Sequence, residues 1–378
     1  MFSFKILKKS EKSKARLGVF STPHGDIETP AFVPVATRAS VRALPAQAIA
    51  DAGSQLLISN TFHLHLTPGE NVVKEAGGIH RFMNWNKPLM TDSGGFQVLS
   101  FGFGREHSTG AMKEKQGERS VDEKTPSGIK ITEEGVQFRS PKDGRKLFMG
   151  PKESIRIQED IGADIIFAFD EATSPLTTRE YMRTSLDRTH RWAQVCLDVK
   201  TRNDQALFGI VQGSEFDDLR TESARTIGAM PFGGFGIGGE YGIDKEAMAQ
   251  RLALVTTLLP EEKPRHVLGV GHPEDFSPVA RGGGDTFDCI TPTHYARHGT
   301  LFTSTGRLNM RNAEYVHAHV PIDTECTCAV CASYSRAYLS HLIRASEPTG
   351  MVLATMHNVH HFNMLAKKVR EQIALGEL

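Results

Sequence analysis

The sequence predicts an α/β protein built on a (β/α)8 TIM barrel, with an inserted β-meander and a C-terminal zinc-binding subdomain. Eight short apolar runs each end in small or polar residues: TPAFVPVATR, QLLISNTF, PLMTDSGG, DIIFAFDEA, ALFGIVQGS, GFGIGGE, RHVLGVGHP and TFDCITPT. Helix-like segments lie between most of them, and this alternation is typical of a parallel sheet that is buried on both faces. A count of eight strands favours closure into a barrel, and an open doubly wound sheet is the alternative.

Composition indicates a globular chain and argues against several function classes. The chain has 378 residues, of which 39% are hydrophobic and 23% are charged. No stretch approaches the roughly 20 apolar residues that cross a bilayer, so no membrane association is expected. The basic N-terminus lacks the apolar run of a secretory signal, which predicts a cytoplasmic location. Lys plus Arg and Asp plus Glu both number 44, so nucleic-acid binding would need a local basic face.

Two domains are predicted along the chain. Residues 1–307 form the barrel, with an insertion near residues 101–150. Within it, residues 101–127 are rich in Gly, Lys, Glu and Ser and predict a mobile loop, and IKITEEGVQFRSPKDGRKLFM predicts the meander. Residues 308–378 form the zinc-binding subdomain, which is predicted to pack on the barrel and to contain helices over residues 335–345 and 352–375.

One barrel helix is predicted over residues 177–199. A capping box from Thr177 to Glu180 opens it. Cys196 is a predicted core residue, because it falls at helical spacing with four residues of the same helix: Met182, Leu186, Thr189 and Ala193.

The remaining cysteines predict a metal site. Cys326, Cys328 and Cys331 are two and three residues apart, and thiolates at this spacing can converge on one tetrahedral ion. His357, in the stretch MHNVHHF, is the predicted fourth ligand, with His360 and His361 as alternatives. Three cysteines and one histidine form a closed site, which indicates one structural Zn2+ per subunit; a reduced cysteine cluster without metal is the other interpretation.

Polar residues follow the predicted strands where a barrel places its chemistry. The C-terminal ends of the barrel strands surround one pocket, so these residues are candidates together: Asp92, Asp170, Gln212, Gly239 and Asp288.

Motifs cover nearly the whole chain: TPHGDIETPAFVPV, ISNTFHL, MTDSGGFQV, AFDEAT, GIVQGS, GVGHPEDF, FDCITPT, RNAEY, and C-x-C-x2-C followed by MHN. In this order they resemble the tRNA-guanine transglycosylases, also called queuine tRNA-ribosyltransferases, of bacterial type. The resemblance implies exchange of the guanine at the anticodon wobble position of GUN-anticodon tRNAs for a 7-deazaguanine, in queuosine biosynthesis. It also implies a covalent enzyme–RNA intermediate, a barrel with a zinc subdomain, and a homodimer.

Such an exchange with retained ribose configuration requires two displacements. One carboxylate must attack C1′, and another group must handle the proton of the departing and arriving base. By resemblance Asp288, in FDC, is the nucleophile and Asp92, in TDSGG, is the general acid/base. Asp285 is a rival nucleophile on spacing alone.

Guanine presents two N–H donors beside its O6 acceptor, so its pocket needs a carboxylate on one side and N–H groups on the other. Asp170 can supply the carboxylate, Gln212 an amide, and Gly239 a close backbone N–H. By resemblance the residues around the base are Asp92, Ser93, Gly94, Gly95, Phe96, Asp170, Gln212 and Gly239.

The resemblance also assigns RNA contacts. They are Gly269, Val270, Gly271, His272, Pro273, Glu274 and Asp275, followed by Thr293, His294, Tyr295, Ala296 and Arg297. His294 departs from the family pattern, which usually has Arg there, and a neutral imidazole lacks the fixed charge and fork of Arg. Basic residues concentrate towards the C-terminal quarter, at Arg297, His298, Arg307, Arg311, Lys367, Lys368 and Arg370.

Two other classes of function would leave different sequence features. A zinc-dependent hydrolase or a glycosidase on a barrel would be a different enzyme, but a hydrolase would need an open metal position at the strand ends. A noncatalytic tRNA-binding homologue would be expected to lack Asp92 or Asp288. For the incoming base, the resemblance to the bacterial enzymes makes preQ1 the default. Ala172 stands where the bacterial pattern usually has Cys, and Glu240, Tyr241 and Gly242 stand where it usually has Leu-Ala-Val, so these departures predict a roomier pocket that accepts queuine.

Overall fold

The computed structural model of the protein describes residues 2–102, 129–174, 177–239 and 244–378. Its strands are β1 (Ser3–Lys9), β2 (Arg16–Thr22), β3 (Gly25–Thr29), β4 (Ala31–Pro34), β5 (Leu57–Ser59), β6 (Leu89–Thr91), β7 (Lys130–Ile131), β8 (Val136–Arg139), β9 (Lys146–Met149), β10 (Ile165–Phe167), β11 (Ala206–Val211), β12 (Gly234–Ile237), β13 (Arg265–Val267), β14 (Thr286–Cys289), β15 (Thr300–Thr303) and β16 (Gly306–Asn309).

The helices alternate with the barrel strands and then dominate the C-terminal part. They are α1 (Ala46–Asp51), α2 (Thr61–Leu66), α3 (Glu70–Glu75), α4 (Ile79–Met83), α5 (Gly95–Gly102), α6 (Pro151–Ile161), α7 (Arg179–Val199), α8 (Asp217–Gly228), α9 (Lys245–Leu258), α10 (Phe276–Arg281), α11 (Thr291–Arg297), α12 (Ala329–Ser333), α13 (Arg336–Arg344) and α14 (Pro348–Leu375). Short 3-10 helices cover Pro273–Asp275 and Ala313–Tyr315.

The eight predicted strands form one parallel sheet in the order β4-β14-β13-β12-β11-β10-β6-β5. β14, the last barrel strand along the chain, pairs with β4, the first, and Asp288 lies opposite Val33. At the other end of the order, a parallel bridge between Val35 and Ile58 joins β4 to β5. These two contacts close the sheet into a barrel, which confirms the TIM-barrel prediction over the open doubly wound alternative.

An antiparallel sheet of β1, β2 and β3 precedes the barrel and was not predicted. Phe20 and Ile27 of this sheet are buried together with Val33, Phe167 and Phe208 of the barrel strands. The N-terminal segment therefore extends the apolar core of the barrel. Its alternating pattern of buried and half-buried residues in β2 is typical of a strand with one covered face.

The observed starts of two helices differ from the predicted starts. α7 begins at Arg179, and Thr178 caps it by accepting a hydrogen bond from the Tyr181 N–H at 3.3 Å. The predicted capping box from Thr177 to Glu180 is therefore wrong, because the N–H of Thr177 donates instead to the Ser174 carbonyl oxygen. α14 begins at Pro348, four residues before the predicted start, since Pro is well suited to the first turn of a helix.

The buried face of α7 and the meander follow the predictions. Cys196 is fully buried among core side chains, and burial raises the pKa of its thiol to about 12. β7, β8 and β9 form the predicted antiparallel meander. The predicted mobile loop lies almost entirely outside the described residues, as do residues 240–242 of the pocket-size prediction.

The C-terminal part packs on the barrel through α14. One side of this helix joins the barrel core through Phe362, which packs against Phe32 and Phe276 at ring-centroid distances of 5.2 and 5.6 Å. Its N-terminal half packs with α12 and α13 in a second apolar cluster, to which Leu353 and Ala354 belong. The domain boundary placed between residues 307 and 308 falls within β16 and stays a prediction.

Candidate active site and metal centre

Asp92 follows β6 at the C-terminal end of the barrel and is held by three donors. Its Oδ1 accepts the N–H groups of Thr61 and Gly94, both at 3.0 Å, and its Oδ2 accepts the Asn60 amide at 2.5 Å. Burial raises the pKa of the Asp92 carboxyl to about 7, against the effect of these hydrogen bonds, and the charge of Asp288 raises it further. Asp92 can therefore exchange a proton near neutral pH.

Asp170 lies after β10 and is buried beside Ser93, the residue that follows Asp92 in the chain. Its Oδ1 accepts the Ser93 hydroxyl at 3.0 Å, and its Oδ2 accepts the side-chain amide of Gln212 at 2.7 Å. A carboxylate has about four lone-pair sites, so these bonds leave acceptor capacity for two further donors. Burial raises the pKa of the Asp170 carboxyl above its usual value.

Glycines let the backbone approach these groups closely. A Cβ at Gly95 would lie 2.6 Å from the Asp170 carbonyl oxygen, and one at Gly238 would lie 2.8 Å from Nε2 of Gln212. Gly239 has φ +88°, a backbone conformation that side chains disfavour. Phe96, in the first turn of α5, has 40% of its surface exposed. The structure thus brings together the predicted base-contacting residues that follow β6, β10, β11 and β12.

Asp288 lies in β14 and is partly exposed, with 14% of its side chain accessible. Its Oδ1 accepts the Gly269 N–H at 3.0 Å and contacts Nε2 of His266 at 3.1 Å. Among the described residues, none donates a hydrogen bond to its Oδ2. This oxygen is therefore available to an external electrophile.

The rival Asp285 is in a different environment. It precedes β14, at the opposite end of the strand from the pocket, and is fully buried. Arg16 donates two hydrogen bonds to its carboxylate, at 2.8 and 2.6 Å, and the Arg265 N–H donates a third at 2.8 Å. These bonds tie Asp285 to β2 and β13, so its geometry is that of a structural ion pair.

His266, in β13, was not singled out from the sequence. It is fully buried, and its Nδ1 lies 2.8 Å from the Thr286 hydroxyl. Only the cross-strand register places it beside Asp288, because His266 pairs with Thr286, two residues before Asp288 on β14. No sequence motif carries that register.

The two segments assigned to RNA differ in accessibility. Gly269 and Glu274 are exposed, whereas Gly271 and Asp275 are buried, and the Asp275 carboxylate pairs with Lys245. Val270, His272 and Pro273 are half-buried.

The residues of α11 also differ in their exposure to solvent. Thr293 and Ala296 are buried, Tyr295 and Arg297 are half-buried, and His294 is exposed. Available surface in these segments therefore comes from a subset of the predicted residues.

Arg42 adds a cation that the sequence did not indicate. It is exposed, follows β4, and its charge lowers the pKa values of His294 and Arg297, in both cases after the larger effect of burial. The His298 ring lies against the His294 ring in a tilted arrangement, at a ring-centroid distance of 4.5 Å. These four residues form one local basic face on a chain whose net charge is zero.

The predicted metal ligands converge. The sulfur atoms of Cys326, Cys328 and Cys331 lie 3.8, 3.6 and 3.2 Å from Nδ1 of His357. Zn–S and Zn–N bonds in a tetrahedron place S and N about 3.5 Å apart, which is close to these separations. Nε2 of His357 lies 2.7 Å from the Phe302 carbonyl oxygen and donates to it, so the Nδ1 lone pair faces the cysteines.

This arrangement identifies His357, and not His360 or His361, as the candidate fourth ligand. The four-residue group that could hold an ion contains His357 but neither His360 nor His361. The three histidines share α14, yet only His357 directs a nitrogen to the cysteines, so the residues present fit a zinc ion with a closed Cys3His ligand set.

No helix among the described residues is long and apolar enough to span a bilayer.

Comparison with known proteins agrees with the site. The family described as "Queuine tRNA-ribosyltransferase" matches residues 10–378. The queuine tRNA-ribosyltransferase of Desulforamulus reducens is 45% identical over 370 residues, which cover 98% of this chain and 94% of the relative. That of Bacillus subtilis is 44% identical, with coverages of 98% and 91%. The putative queuine tRNA-ribosyltransferase of Archaeoglobus fulgidus is 44% identical, with coverages of 96% and 94%. The chain therefore belongs to the queuine tRNA-ribosyltransferase family of transferases.

Proposed function

We propose that this enzyme exchanges the guanine at wobble position 34 of GUN-anticodon tRNAs for preQ1, a 7-deazaguanine, by double displacement through an Asp288–ribose intermediate. Family membership supports guanine exchange on tRNA. The observation that carries the mechanism is a pair of strand-end carboxylates with different environments. Asp92 has a pKa of about 7, and Asp288 has one oxygen without a donor. Unequal environments assign unequal roles to two carboxylates.

In the first displacement, Oδ2 of Asp288 attacks C1′ of the wobble nucleotide. The C1′–N9 bond breaks, and its electron pair leaves with guanine. The protonated form of Asp92 donates its proton to the departing base, which leaves as neutral guanine. Gly269 and His266 hold the other oxygen of Asp288 during this attack.

In the second displacement, the ionised form of Asp92 removes the proton from N9 of the incoming base. That nitrogen attacks C1′, and the bond from C1′ to Asp288 breaks, returning the carboxylate. Two inversions at C1′ retain the ribose configuration. Because Asp92 is deprotonated in one step and protonated in the other, a pKa near 7 suits both.

The base pocket is supported by the hydrogen-bonded trio of Ser93, Asp170 and Gln212. Free acceptor sites on Asp170 match the N1–H and 2-amino donors of guanine or a 7-deazaguanine. Gln212 and the Gly239 N–H are the groups proposed to face O6. Phe96, which is exposed in the first turn of α5, is proposed to offer a flat apolar surface to the base.

The anticodon loop is proposed to lie on the basic face of Arg42, His294, Arg297 and His298. Phosphate binding in RNA complexes is supplied mainly by Arg and Lys, and Arg42 and Arg297 supply two such cations locally on a chain without net charge. His294 is exposed, and burial together with neighbouring cations lowers its pKa, so it acts as a neutral donor or acceptor. The homodimer remains a prediction from the resemblance, and the cytoplasmic location remains a prediction from the N-terminal sequence.

A noncatalytic tRNA-binding homologue is the alternative from a different class. The geometry around Asp92 and Asp288 argues for the enzyme, because three donors hold Asp92 whereas Asp288 keeps one oxygen without a donor among the described residues, an arrangement that RNA binding does not require.

The choice of incoming base is tested by competition. We expect the enzyme to release labelled guanine from tRNA when preQ1 is added, and to incorporate preQ1 in preference to queuine from an equimolar mixture. The measurement is mass spectrometry of the digested tRNA. Preferential incorporation of queuine would favour salvage, in line with the half-buried Ala172 and the small residue at position 242.

The metal centre is proposed to hold one structural Zn2+ through Cys326, Cys328, Cys331 and His357. We expect Cys328→Ala to lose bound zinc and to melt on the order of 10 °C lower, because a closed zinc site contributes directly to folding. Elemental analysis and thermal melting measure the two effects. Cys196→Ala is the matched control: it removes a buried thiol outside the cluster and should keep its zinc. Unchanged zinc content and melting in Cys328→Ala would refute the site.

A further inference from the structure

A fully buried histidine connects two residues of β14 beneath the pocket. Nε2 of His266 lies 3.1 Å from Oδ1 of Asp288, and its Nδ1 lies 2.8 Å from the Thr286 hydroxyl. Thr286 and Asp288 are two residues apart on one strand, so their side chains lie on the same face. The imidazole packs against the Phe167 ring at a centroid distance of 5.5 Å, which limits its rotation.

The partners determine which nitrogen carries the proton. An ionised carboxylate only accepts hydrogen bonds, so Nε2 must donate to Asp288. In the neutral ring Nδ1 is then an acceptor, and the Thr286 hydroxyl can donate to it. Each ring nitrogen of His266 thus has a partner, Nε2 as a donor to Asp288 and Nδ1 as an acceptor from Thr286.

We propose that His266 is a positioning residue for Asp288, and that Thr286 sets its tautomer. The inference deepens the proposed function and rests on Asp288 being the nucleophile. His266 and the Gly269 N–H both bind Oδ1, so they fix the carboxylate rotation and leave Oδ2 as the attacking oxygen. Gly269 lies in the loop after β13, whereas His266 is within the strand, so His266 is the more rigid of the two donors.

This arrangement predicts an effect on the chemical step and not on tRNA binding. His266 is buried and has no surface to offer RNA. Without its donor the Asp288 carboxylate can rotate, and misplacement of a nucleophile by about 1 Å costs on the order of 10²-fold in rate.

Single-turnover adduct formation tests the inference, with full-length zinc-loaded enzyme, substrate tRNA and a base analogue that stalls turnover. We expect His266→Leu to form the adduct about 10²-fold more slowly. His266→Gln places an amide N–H near the position of Nε2, so it should recover at least about tenfold of that loss. Thr286→Val, which cannot donate to Nδ1, should be slower than wild type by about threefold to tenfold. The tRNA dissociation constant should stay unchanged in all three.

His24→Gln is the control for loss of a histidine–carboxylate contact elsewhere. Nδ1 of His24 lies 2.6 Å from Asp164, at the start of β10 and away from the pocket, so this variant should form the adduct at the wild-type rate. Wild-type rates in His266→Leu, or equal loss in the Leu and Gln variants, would overturn the positioning role. If His266→Leu does not fold, a wild-type rate in Thr286→Val overturns it instead. Adduct formation by Asp288→Ala would refute the proposed function itself.

Discussion

Asp288→Ala is expected to bind tRNA but to form no covalent adduct, with exchange lowered on the order of 10⁴-fold or more. The removed carboxylate is the proposed nucleophile. Its Oδ2 accepts no hydrogen bond from any described residue, whereas Gly269 and His266 hold its Oδ1. A denaturing gel of enzyme, tRNA and a stalling base analogue should show a shifted band for wild type only.

Asp288→Asn is the sharper form of the same experiment. The amide oxygen of Asn can still accept from Gly269 and His266, so the fold around the site is preserved while the nucleophile is lost. Asp285→Ala is the control for the rival residue. It leaves the buried Arg16 without its carboxylate, so the variant should lose stability, yet its folded fraction should keep the band. A band in Asp288→Ala together with none in Asp285→Ala would reverse the assignment.

The barrel and its strand-end residues were predictable because both depend on local patterns. Each apolar run marks one strand, and in a parallel barrel the residue after the strand reaches the pocket whatever the register. Asp92 and Gln212 directly follow β6 and β11 for this reason. The metal ligands were predictable from spacing, since Cys326, Cys328 and Cys331 are close in the chain.

The parts that sequence reasoning missed depend on contacts between distant segments. His266 acquires its partner only through the pairing of β13 with β14. Arg42 belongs to the basic face but lies in a loop about 250 residues before α11. A sequence motif does not extend over such a separation. Thr178 and not Thr177 caps α7, and the N–H of Thr177 donates to the Ser174 carbonyl oxygen. The sequence pattern predicted Thr177 as the cap, because Glu180 follows it at capping-box spacing.

The pKa of Asp92 leads to a prediction with opposite pH dependences for the two displacements. Burial raises this pKa to about 7, so the carboxyl is protonated below that pH and ionised above it. Adduct formation needs the protonated form and should fall about tenfold per pH unit above 7. Capture of the adduct by the incoming base needs the ionised form and should fall in the same proportion below 7.

The two steps can be measured separately in single-turnover experiments between pH 5.5 and 9, using first tRNA and then isolated adduct with added preQ1. Asp92→Asn should be slower by about 10²–10⁴-fold in both steps and should lose both pH limbs. Adduct formation that stays constant from pH 6 to 9 in wild type would exclude Asp92 as the acid.

Stability gives an independent check on the same carboxyl group. The folded protein holds the Asp92 proton more tightly than the unfolded chain does, because the pKa of this carboxyl is near 3.8 when the chain is unfolded. Its contribution to stability is therefore complete below pH 3.8, decreases as the pH rises, and is lost above about 7. The melting temperature of wild type relative to Asp92→Asn should fall over this window. If both proteins keep the same difference from pH 4 to 8, the carboxyl is not perturbed by burial. The opposite pH limbs of the two displacements would then need another acid.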